Sequence, residues 1–120
     1  MVQSFNDLRI WQAGEQLVVK IYKLTGAFPK NETYNIVSQL RRAALSVPTN
    51  IAEAHGRYHD AETIHFLFNA RGSAEEVRSL LMTSVDLEYI DKNIFNMLNE
   101  EYLGLIISIN SFIKKLRKAD

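Results

Sequence analysis

Apolar residues recur three and four positions apart through most of the chain, the spacing that puts them on one side of a helix. The segment around residues 36 to 57 shows this most sharply, with Ile36, Leu40, Ala43, Val47, Ile51 and Ala54 in one arc. Beside that arc runs a line of polar residues: Gln39, Arg42, Ser46, Asn50, Glu53 and Arg57. At one residue per 100° these six fall within roughly 80° of the helix surface. No residue between Arg42 and Glu53 carries a formal charge. A helix facing water would carry more, so the polar line is expected to find its partners in neighbouring helices or subunits.

Three further helices follow from the same spacing. The first should start near Asp7, capped by Asn6 or Asp7, and carry Leu8, Trp11, Val18, Ile21, Tyr22 and Thr25 on one broad face. Gly26 and Phe28-Pro29 should stop it. The second, with the polar line, should run from about Thr33 to near Gly56 and bend at Pro48, which leaves the carbonyl of Ala44 without its helical donor. Ser46, Thr49 or Asn50 could satisfy the freed groups. The third is expected from Asp60 as N-cap, through Ile64, Leu67, Ala70, Ala74, Val77 and Leu81, to about Tyr89. Asp91 or Asn93 should cap the fourth, which continues through Ile94, Leu98, Tyr102, Leu105, Ile109, Phe112 and Leu116. No alternating apolar and polar run is long enough for a strand. The prediction is an all-α fold, an antiparallel up-and-down four-helix bundle with a proline-kinked second helix, as a single domain over residues 1 to 120. Leu103 and Ile107 lie off the apolar stripe of the fourth helix, which suggests self-association.

Composition narrows the functional classes. Fourteen basic and fourteen acidic side chains give no overall field to attract nucleic acid or an anionic membrane, so such a role needs a local patch. Without cysteine there is no disulfide, thiolate zinc site or thiol nucleophile. No apolar run approaches the roughly 18 residues of a membrane span, and residues 1 to 6 do not resemble a leader, so a soluble cytoplasmic protein is expected.

The segment QLRRAALSVPTNIAE, Gln39 to Glu53, resembles the signature of the four-helix bundle proteins encoded in intervening sequences of bacterial 23S ribosomal RNA genes. FNDLRIWQAG is similar to that family's opening Phe-x-x-Leu-x-x-Trp-x-x-Ala, FPKNETY to its Phe-Pro-x-x-Glu-x-Tyr, and FLFNARGSAEE to its Phe-Leu-x-x-Ala-x-Gly-Ser-x-x-Glu. The resemblance covers nearly the whole chain and is weakest in the fourth helix. It implies a bundle that assembles as a homopentamer, in a family without an established activity. It also implies a relative, the accessory protein of diversity-generating retroelements, which binds nucleic acid and a reverse transcriptase. Asn35 and Ala54 depart from the family pattern, which has glycine there.

The polar line admits a ligand site or a structural network, and the network is the expectation. Arg42 has a planar fork of donors that suits the carboxylate of Glu53 or Glu76, so a buried or interfacial ion pair is expected, with a loss of about 3–5 kcal/mol if Arg42 is truncated. Catalysis by Ser73 lacks a Gly-x-Ser-x-Gly elbow and an evident histidine partner. Glu62 and His65 have the Glu-x-x-His spacing of ferritin-like iron sites, but the second such pair is missing, and Gly56 separates His55 from His59 at a turn. No metal and no cofactor are expected. Arg41, Arg57, Lys114, Lys115, Arg117 and Lys118 are the candidates for nucleic-acid contact, although basic residues at the end of a helix also complement its dipole. A non-enzymatic oligomeric scaffold or binding module is the first expectation, and a nucleic-acid-binding accessory protein the alternative.

Overall fold

The computed structural model describes residues 4–119, with the side chain of residue 119 excepted. A short 3-10 turn, Phe5–Asp7, leads into helix α1, Arg9–Thr25. A second turn, Lys30–Glu32, precedes α2, Ile36–His55, which is followed by α3, Asp60–Asp86, and α4, Lys92–Ala119. No strand occurs among the described residues. Each helix packs on its neighbour in the chain, and α4 returns to lie against α1, giving an up-and-down bundle 47 Å long and 22 Å across.

The helix ends follow local chemistry and correct several predicted boundaries. The backbone N–H of Ser4 donates to the Asp7 carboxylate at 3.2 Å, so Asp7 closes the 3-10 turn and Leu8 becomes the N-cap of α1. The turn at Lys30–Glu32 continues as a turn through Asn35, so α2 starts later than the predicted Thr33, at Ile36. Asp60 is the first residue of α3, whose N-cap is His59. Asp91 caps α4 as expected, its carboxylate accepting from the N–H of Ile94 at 2.8 Å. The reversal before it uses Glu88 at φ 64, and this left-handed residue ends α3 short of Tyr89.

The core is a column of aliphatic side chains from all four helices. Ile21, Leu40, Val47, Ile51, Leu67, Val77, Leu81 and Ile109 are fully or almost fully buried in it. α2 occupies the tightest position, since Ala43, Ala44, Val47, Pro48 and Ala54 are all buried. Pro48 lies inside the helix, and α2 continues through it. The Asn50 side-chain amide donates to the carbonyl of Ser46 at 2.8 Å, not to that of Ala44. Gly14 of α1 faces this stretch: a Cβ there would stand 3.4 Å from Val47 Cγ1 and 3.5 Å from Pro48 Cδ. The two backbones therefore meet almost as closely as side chains allow, and α1 has room for nothing larger than a methyl group.

Tyr102 of α4 is completely buried, and its hydroxyl has no hydrogen-bond partner among the described residues. Burial, with a smaller contribution from the charge of Glu101, pushes its phenol well above the usual tyrosine range.

Gly72, in the middle of α3, stands in the opposite situation to Gly14, because a Cβ there would meet nothing within 4 Å. Chemical denaturation should show Gly14→Val losing about 1–3 kcal/mol through overpacking, while Gly72→Ala gains about 0.5–1 kcal/mol from helix propensity. Equal effects of the two substitutions would contradict the close approach of α1 to α2.

Candidate functional site: the polar seam of helices α2 and α3

The polar line of α2 divides into a closed middle and two open ends. In the middle, Ser46 and Asn50 are half-buried against α3. The hydroxyl of Ser73 donates to Ser46 Oγ at 2.9 Å, and Asn50 Nδ2 donates to the same oxygen at 2.9 Å. This small cluster ties the two helices together over Ala70 and Ala74, which are buried below it. Ser73 thus meets another hydroxyl, and among the described residues no base lies within hydrogen-bond distance to accept its proton.

At the ends, Gln39, Arg42, Glu53 and Arg57 are exposed in the single chain. Neighbouring helices of the same bundle thus enclose the middle of the line and leave its ends open. Packing over small side chains brings α3 close enough to cover the middle, but longer side chains on either flank reach past it into water. The Arg42 guanidinium lies 3.6 Å from the Glu76 carboxylate, with side-chain exposures of 72% and 43%. Within one chain, an exposed ion pair of that kind contributes at most about 1 kcal/mol. Glu53 pairs with Arg57 one turn on at 2.6 Å, also at the surface.

Arg41 belongs elsewhere. Its Nε donates to Thr25 Oγ1 at 2.9 Å, its terminal nitrogen donates to the carbonyl of Tyr22 at 3.3 Å, and its guanidinium lies 4.6 Å from the centre of the Tyr22 ring. A cation placed on the last carbonyls of α1 complements the negative end of that helix. Arg41 therefore acts as a clamp between α1 and α2, and it lies about 24 Å along α2 from Arg57. The predicted nucleic-acid candidates do not share one surface.

Arg57 and Arg117 do share one end of the bundle with the exposed residues Lys114, Lys115 and Lys118. Arg57 lies over Phe66 at 4.5 Å and Arg117 over Phe68 at 5.4 Å. These rings are two positions apart in α3, so the two arginines flank it on different sides. Arg71, which sequence reasoning passed over, also stacks on Phe68 at 4.7 Å and donates to Asn110 Oδ1 at 2.7 Å. Its position three residues after Phe68 was the available signal. No group of three or more metal-ligating side chains forms among the described residues.

This sequence pattern and geometry match a known family. The model of the 23S rRNA-intervening sequence proteins matches residues 6–111. The chain belongs to that family. A protein of unknown function from the S23 ribosomal protein family of Bacteroides thetaiotaomicron VPI-5482 is similar in structure, with a TM-score of 0.79. It is 23% identical, and the match covers 88% of this chain and 98% of that one, which supports the shared bundle. No curated protein matches the chain. Within this family member, Ala54 is buried and its methyl group belongs to the core.

The two adjacent arginines of the signature separate clearly in energy. Arg42→Ala should lower stability by under about 1 kcal/mol, and Arg41→Ala by about 1–3 kcal/mol through loss of charged hydrogen bonds to α1. Urea denaturation giving the reverse order would refute the assignment of Arg41 as the clamp.

Proposed function

We propose that the protein is a non-enzymatic homo-oligomer, a pentamer, that serves in the cytoplasm as a scaffold or binding module. The supporting observation for association between copies, within a ring or beyond it, is the surface of α4, where Met97 is 65% exposed and Ile107 64% exposed beside an exposed Leu103. Large apolar side chains left uncovered together on one helix are a surface for association. The open ends of the polar seam, Gln39, Arg42, Glu53 and Arg57, with Glu76, supply further polar contacts for adjoining copies. The number five comes from the family resemblance. The hydroxyl cluster at Ser73 supports a structural use of the seam, because its donors and acceptors satisfy one another. Sedimentation equilibrium should give five times the 13.8 kDa chain mass, or a whole multiple of that. A single-chain mass at all concentrations would rule the reading out.

A second reading, a nucleic-acid-binding accessory protein, is favoured by one feature. Arg57, Arg71 and Arg117 lie on phenylalanine rings at the same end of the bundle as Lys114, Lys115 and Lys118. Cations and aromatic faces held together suit a phosphate backbone with unstacked bases. Filter binding of structured RNA at two salt concentrations should show retention that weakens as salt rises and falls further in Lys114→Glu/Lys118→Glu. Absence of salt-sensitive retention would remove this reading.

A further inference from the structure

The outward face of α4 has a charge order that matches itself when reversed. Met97, Glu100, Gly104, Ile107, Ser108, Ser111, Lys115 and Lys118 are all exposed and fall within roughly 100° of the helix surface, opposite the buried stripe of Leu98, Tyr102, Leu105 and Ile109. Between residues 100 and 118 the acids lie at the start, Glu100 and Glu101, and the bases at the end, Lys114 to Lys118. Glu101 is already held by Lys20 of α1 at 2.6 Å, whereas Glu100 and Lys115 form no ion pair among the described residues. Between these charges the face is small or aliphatic.

Gly104 marks the middle of this face. A Cβ there would meet nothing within 4 Å, so no packing inside the subunit calls for a glycine at a position where it weakens the helix. Its bare backbone leaves space there for a second helix. The same residues, Gly104, Ile107, Ser108 and Ser111, form one wall of an open groove of about 710 Å³ between α1 and α4.

We propose that α4 pairs antiparallel with α4 of a second copy, about a two-fold axis between Ile107 and Ser108. This pairing rests on the self-association proposed above. Positions whose numbers sum to the same value then face each other. Glu100 meets Lys115 of the other copy, Gly104 meets Ser111, and Met97 lies along the stem of Lys118. Glu100 and Lys115 each stand about 11 Å from the axis along the helix, so both ion pairs form at once. Glycine and serine at the crossing let the backbones approach, and Ile107 packs at the centre beside the mouth of the groove. The contact uses the same patch on both copies, so it is isologous. The contacts of a five-membered ring are heterologous, and the α4 pairing therefore lies outside such a ring and joins copies two at a time.

Charge reversal tests the pairing. Glu100→Lys alone and Lys115→Glu alone should each halve the assembled mass in sedimentation equilibrium. An equimolar mixture of the two variants should restore it, as should the double variant E100K/K115E, which excludes misfolding as the cause of the loss. Because the chain has no cysteine, Ile107→Cys supplies a second readout and should form a covalent pair on mild oxidation. Single swaps that leave the mass unchanged, or a mixture that fails to restore it, would overturn the pairing while the self-association reading stands. A wild-type protein of single-chain mass would remove both.

Discussion

The contact between α1 and α2 at Gly14 constrains the rest of the bundle. A helix with a proline in its interior has lost one hydrogen bond and carries a ring on its surface, and it needs a neighbour with a matching hollow. Gly14 provides that hollow, and it brings α1 within van der Waals distance of Val47 and Pro48. With α1 held on one side, the small residues on the opposite side of α2 allow α3 to approach, and the Ser46, Asn50 and Ser73 cluster then closes over the join. α4 completes the layer against α1 and α3 with longer side chains and leaves a groove beside α1.

This packing explains which parts of the molecule could be read from the sequence. The helices and the core positions were legible because burial on a bundle demands apolar residues at fixed spacing, and Ile21, Leu40, Val77 and Ile109 obey it. The exposure of Ile107 was legible for the same reason, as an apolar residue outside the stripe. The environment of Arg42 was not. A line of uncharged polar residues implies contact with protein, but it does not say whether the contact is made within the chain or between chains. Here the half-buried contact within the chain involves Ser46 and Asn50, while Arg42 meets Glu76 at the surface.

Arg41 shows a second limit. Its neighbour Arg42 is identical in chemistry, and a periodicity argument places the two merely 100° apart on the helix. That rotation turns one toward the carbonyls ending α1 and the other toward water near Glu76. The N-terminal boundaries were misplaced for a related reason. One 3-10 turn takes up the predicted caps Asn6 and Asp7, and turn residues 33 to 35 follow the other; these turns depend on local hydrogen bonds such as that from Ser4 to Asp7, which compete with α-helical starts of similar energy.

The Arg41 clamp also gives the bundle two unlike tips. At one tip the clamp is joined by Tyr89, whose hydroxyl donates to Glu32 at 2.9 Å, by the Phe28 ring 5.3 Å from that of Tyr89, and by the Asp91 cap. At the other tip the last turns of α4 hold Lys114, Lys115, Arg117 and Lys118 with no acid beside them in the helix. Like charges along one face repel, and a terminal turn has few bonds to resist them. Fraying should therefore be lopsided: amide protons near the clamped reversal exchange slowly, and those toward the lysine-rich terminus exchange first.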